Sequence, residues 1–302
     1  MKKLVLLLLL TLSLSAKTIS PNDVYSQIML ITDEIHFLLK HEGIKHDHEG
    51  IIKRTKIATM LKPRNAWQIT YEIMVKINIH RGYHNLPIIE PVNMPPILDL
   101  NPDLVYEQTQ RILTELQIFN KRVGIQSPVF KLKKYKDKTS IDVYNALTHI
   151  SKSFDELNRG IVTPSYVFGE QMRLYDEITD ILQYLDISDK TIPQKKRVGA
   201  TPADVFDECM HVLEKIRQLQ IGAGIDFVDF SEFKKGDETA SDVFTITQMI
   251  IAELQTIKAY IGIDSITPAS AKYNTKTPAE VEQLVSWNLR KLNLIHSINK
   301  GR

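Results

Sequence analysis

The chain writes one helix opening eight times. Aligned on a Val-aromatic dipeptide, the copies stand at Val24-Tyr25, Ala66-Trp67, Val105-Tyr106, Val143-Tyr144, Val167-Phe168, Val205-Phe206, Val243-Phe244 and a degenerate Val281-Glu282, spaced by 42, 39, 38, 24, 38, 38 and 38 residues. A near-fixed period of this length signals repeated supersecondary units, each unable to bury its apolar face alone.

The residues before each dipeptide carry helix-start chemistry. In Thr201-Pro202-Ala203-Asp204 the threonine caps free backbone N–H groups, proline sits where its missing N–H costs nothing, and the acid reaches back to the cap. Ser20-Pro21-Asn22-Asp23 and Thr277-Pro278-Ala279-Glu280 repeat it, and Thr139 to Asp142 and Thr239 to Asp242 lack only the proline. Looser versions begin at Lys62-Pro63, Asn101-Pro102 and Thr163-Pro164, the last with Tyr166 in the acidic place.

Counting the Val as position 0, apolar residues return at 4, 7, 11, 14 and often 18, as in Ile28, Ile31, Ile35 and Leu38. That 4-3 alternation gives each helix one seam for lengthwise packing. Gly43, Gly124, Gly160, Gly224 and Gly262 mark the far ends, so each helix runs about six turns, roughly 30 Å. Between helices, stretches such as "QSPVFKLKKYKDK" and "SDKTIPQKKRVGA" are lysine-rich, aperiodic and punctuated by proline. Some 14 extended residues reach about 45 Å, enough to return along a whole helix and start the next in the same direction. Only Gly160-Ile161-Val162 is too short and must form an antiparallel hairpin. The expected fold is all-α: an array or bundle of eight long helices, each unit of about 38 residues holding one helix and one extended connection. Its parts are a signal peptide over 1–16, helices one to four over 17–160 and helices five to eight over 161–302, the last two able to form one continuous domain.

The signal peptide follows from Lys2 and Lys3, the apolar run Leu4 to Leu10, and the small residues Ser13, Ser15 and Ala16. The run is short of the roughly 20 residues a bilayer needs, so cleavage after Ala16 and export to the periplasm, or secretion, are expected, with no membrane span in the mature chain. Without those two lysines the 38 Lys+Arg fall to parity with the 36 Asp+Glu. A balanced chain lacks the electrostatic footprint of a nucleic-acid or acidic-membrane binder. The single Cys209 forms no internal disulfide, occupies seam position 4, and is read as a small core residue. The aromatic series from Tyr25 to Phe244 is read as an inter-helix packing row, with Trp287 capping the core.

Position 10 of the copies reads Glu34, Lys76, Glu115, Ser153, Glu177, Lys215, Glu253 and Lys291, an alternation of acid and base with one exception. Successive helices are therefore expected to pair these charges at mid-height. Six of the nine histidines fall within residues 36 to 84. His80 and His84 share one helix face four residues apart, and His41, His46 and His48 adjoin them in sequence, so a transition-metal site is a candidate there. Nucleophile elbows, phosphate loops and zinc-protease motifs do not occur, and no catalytic residue or cofactor beyond that metal is assigned. The leading expectation is an exported, non-enzymatic repeat protein that holds a protein partner as a scaffold or assembly component. The alternative is a periplasmic small-ligand or metal-binding module, a sensor or carrier, built on the histidine-rich region.

Overall fold

The computed structural model describes residues 18–44, 61–159, 162–230, 236–269 and 271–301. Eight helices and no strand occur among the described residues: α1 Pro21–His41, α2 Pro63–Tyr83, α3 Pro102–Arg122, α4 Ser140–Leu157, α5 Pro164–Tyr184, α6 Pro202–Ala223, α7 Ala240–Ile261 and α8 Pro278–Leu292. No described helix is long and apolar enough to cross a membrane. The residues assigned to the signal peptide, and Gly160-Ile161 of the short junction, lie outside the described residues.

The starts form as their chemistry dictates. Asp204 accepts the Thr201 backbone N–H at 2.8 Å while the Thr201 hydroxyl accepts from the Asp204 N–H, and the same reciprocal pair forms at Thr139/Asp142, Thr239/Asp242 and Thr277/Glu280. In α2, Asn65 takes the acid's place and accepts from the Lys62 N–H. Gly224 and Gly262 end α6 and α7 at φ +69° and +94°, left-handed conformations that glycine adopts without a Cβ penalty. Where no glycine is available, Asn85, Arg159 and Asp186 take that conformation instead.

The helices associate as two rings with the same order of neighbours. In the first, α1 touches α3 and α4, and α2 touches α3 and α4; in the second, α5 touches α7 and α8, and α6 touches α7 and α8. Helices adjacent in sequence thus lie diagonally opposite in most cases. All four members of a ring point the same way. In the second ring Pro164, Pro202, Ala240 and Pro278 enclose one small apolar gap together with Val167, Val205, Val243 and Val281, so four helix starts meet at one end. The first ring brings the ends of α1 and α2 together, and the Lys138 N–H, just before α4, donates to Asn22 at the start of α1.

The rings join through α2 and α7, which run antiparallel. Arg64 at the start of α2 meets Glu253 in the middle of α7, while Lys76 in the middle of α2 meets Ser241 at the start of α7. These two helices are buried nearly all round because each faces its own ring and the other. Elsewhere one stripe faces inward, as in Val205, Cys209, Val212, Ile216 and Leu219 of α6. Inside the second ring a polar layer crosses the seam. The Gln171 amide donates to Thr247 Oγ1 at 2.8 Å and Cys209 Sγ at 3.6 Å, and Asn288 donates to the Gln171 side chain and carbonyl. A buried polar layer of this kind favours one register, because a slip leaves its members unpaired. Trp287 does not cap the core: half-buried, it donates to Thr191 of the α5–α6 connection and packs on Tyr175.

Candidate metal centre

Three metal-ligating side chains converge where α1 and α2 end. His80 lies in the last turn of α2, His84 caps that helix, and Glu42 caps α1. One donor atom from each lies within 4.8 Å of the others. Around a tetrahedral zinc with bonds near 2.0–2.1 Å, donor atoms stand roughly 3.3 Å apart, so rotamer shifts on the order of 1 Å close the set. The i, i+4 spacing puts both imidazoles on one helix face, and α1 supplies the carboxylate because the two parallel helices finish at one level.

The surroundings of His80 differ from those of an ordinary core histidine. Its residue is 5% exposed, and among the described residues neither ring nitrogen has a hydrogen-bond partner. Burial, then the neighbouring His84, pushes its pKa down to about 4, against a smaller opposing effect of the nearby Asn158 side chain. At neutral pH the ring is therefore the uncharged ligand form. Phe119 of α3 packs against both imidazoles, with centroids 4.8 Å from His80 and 5.2 Å from His84. That wall fixes ring orientation and leaves the half-buried His84 and exposed Glu42 on the solvent side.

Of the histidines named from sequence, His80 and His84 come together. His41 is exposed and outside the cluster, and its place is taken by the next residue, Glu42. His46 and His48 lie outside the described residues. Glu42 does not follow from the spacing of imidazoles; the signal for it in the sequence is a carboxylate at the cap of the preceding helix.

The mid-helix charges correct the expected pairing. None of the Glu34, Lys76, Glu115, Glu177, Lys215, Glu253 and Lys291 side chains pairs with another of the set among the described residues. Glu115 meets Arg81 at 3.8 Å, Glu177 meets Lys258 at 2.5 Å, Glu253 is held bidentately by Arg64, and Lys291 meets Asp189 at 2.8 Å. Lys76 meets Glu72, Asp155, Ser151 and Ser241, while Lys215 donates to the Ile295 carbonyl. Among the described residues Glu34 accepts only from the Gln117 and Asn120 amides, at 3.3 and 3.2 Å. The reason is topological. Most sequence neighbours are diagonal, and where α6 and α7 do touch, Glu253 turns toward α2 of the other ring. Most of these groups are also buried, which requires partners at hydrogen-bond distance.

No protein family matches the chain, nor does any curated protein or solved structure.

Proposed function

We propose that this is an exported, non-enzymatic helical-repeat protein that binds one transition-metal ion at Glu42, His80 and His84, as a carrier or sensor. The observation that carries the reading is the His80 imidazole, buried, unpartnered and set against a second imidazole and a carboxylate. Leaving buried ring nitrogens unpaired costs roughly 1–3 kcal/mol, a cost that ligation removes. Imidazole donors suit zinc, copper and nickel over calcium or magnesium. Three protein ligands leave a fourth coordination position for water or an exogenous donor. The scaffold reading rests on extended surface. Here the apolar seams turn inward within two closed rings, which favours the metal reading.

Export is supported by the composition of residues 1–16, and the single-helix unit by the eight aligned starts. Calorimetric titration of chelator-treated mature protein with zinc, copper and nickel tests the site. One equivalent should bind with a Kd well below millimolar, and His84→Ala or Glu42→Gln should weaken it at least tenfold, while His41→Ala leaves it unchanged. Absence of saturable binding below about millimolar for all three metals refutes the proposal.

A further inference from the structure

A second site stands on the flank of the first ring, independent of the metal reading. A cavity of about 420 Å³ opens between α1 and α3, walled by apolar Leu30, Leu113, Ile125, Val129 and Phe130. Glu34 lies at its base and is 3% exposed.

Glu34 differs from every other mid-helix acid. Glu115, Glu177 and Glu253 each meet an arginine or lysine within 4.0 Å, but no cation lies within that distance of Glu34 among the described residues. Among the described residues two neutral amides are its hydrogen-bond complement, both at the long end of the range. Asn120 is buried and also donates to Ser127 Oγ, so the floor of the cavity is held in place by the α3–α4 connection. Lys121 lines the rim without reaching the carboxylate. A buried carboxylate without a counter-charge is costly, and a well-placed opposite charge offsets that cost. The cavity has the volume and mixed lining of a small-molecule site: apolar walls and a few convergent polar groups.

We infer that this cleft binds a small organic cation, an ammonium or guanidinium group carried on an apolar chain, with the charged head on Glu34 and the chain along Leu30, Leu113 and Phe130. The amides of Gln117 and Asn120 hold the carboxylate and leave lone pairs free for a donor. Free amine and a partner protein's lysine share this head-group chemistry; a volume of about 420 Å³ holds a whole small molecule, which favours the free amine.

Calorimetric titration of the full mature chain with hexylamine, agmatine and the neutral control hexanol tests the assignment. Hexylamine or agmatine should bind saturably below about millimolar, and hexanol at least tenfold more weakly. Glu34→Gln keeps the shape and removes the charge, and should weaken the amines at least tenfold. Leu113→Trp should block binding by filling the cleft with the carboxylate intact, which guards against a folding failure in the first variant. Equal affinity of Glu34→Gln and the parent, or no amine binding by the parent, overturns the inference. Binding of an acetylated lysyl peptide without binding of hexylamine overturns the free-amine assignment.

Discussion

Replacing Arg64 or Glu253 tests the join between the rings. The guanidinium donates through Nε to Oε1 at 3.0 Å and through Nη2 to Oε2 at 2.9 Å, across 189 residues of sequence, and both side chains are 2% exposed. Removing one partner strands a buried charge, so Arg64→Met and Glu253→Gln should each cost about 3–5 kcal/mol. In Glu253→Gln only one of the two amide donors keeps its acceptor, because Asn65 donates to Oε1 and Gln220 to Oε2, each at 2.9 Å, so a donor facing the new NH2 adds to the loss of charge. The double variant Arg64→Met/Glu253→Gln has no stranded charge and should be more stable than either single variant, a coupling of at least about 2 kcal/mol. Lys215→Ala serves as the control: Lys215 binds the Ile295 carbonyl, so its loss and Glu253→Gln should add within about 0.5 kcal/mol. Urea unfolding followed by far-ultraviolet circular dichroism, with Trp67 fluorescence in the first ring and Trp287 in the second, measures these variants and the Lys215→Ala/Glu253→Gln combination. Raising salt should leave the Arg64–Glu253 coupling in place, since a dry pair is poorly screened. If the double variant loses the sum of the two singles, the pair is not formed and the α2–α7 face is wrong.

Three further outcomes are expected. Burial pushes the Cys209 thiol up to about 12, so it stays a thiol at any ordinary working pH. Native protein should resist a disulfide reagent equally at pH 7 and pH 9, whereas in denaturant labelling should accelerate over that interval as the thiol ionises near its usual value, about 8.5; fast native labelling refutes the placement. Val205→Asp and Val243→Asp place a charge among the buried helix starts and should each cost several kcal/mol in denaturant unfolding, while Asp at the exposed Gln218 should cost under about 0.5 kcal/mol. Thr201→Ala and Thr277→Ala remove caps and should each lower stability by about 1 kcal/mol, measured as thermal or urea midpoints.

The helices were legible because their signals are local. Thr201 caps a helix with atoms three residues away, and Ile28 and Ile31 face one stripe whatever the rest of the chain does. The ring order was not legible, since nothing near Lys76 in sequence says that its helix lies diagonal to α1 or that its ammonium will meet Ser151, Asp155 and Ser241. An alternating charge at mid-helix reads as pairing between successive helices, yet Glu177 meets Lys258 instead, both fully buried and sustained by each other and by Gln255 and Thr267. Of the metal centre, the i, i+4 histidines were visible. Glu42 was hidden because its proximity depends on α1 and α2 ending at one level, and that in turn depends on the chain returning between them.

Parallel helices also align their peptide dipoles. Each helix carries about half a positive charge at its start and half a negative charge at its end, so one ring of four gathers roughly two charges of one sign at each pole. The acids Asp23, Asp103, Asp142, Asp204, Asp242 and Glu280 in the first turns offset the positive poles. Because α2 and α7 run antiparallel, the start of each lying against the middle of the other, the moments of the two rings oppose each other. The negative pole of the first ring is where α1 and α2 finish, at Glu42 and His84. Lys40, His41, Arg81, Lys121 and Arg122 in the last turns of α1, α2 and α3 offset that pole in turn, so side chains balance at both ends an all-parallel ring that is costly on its own.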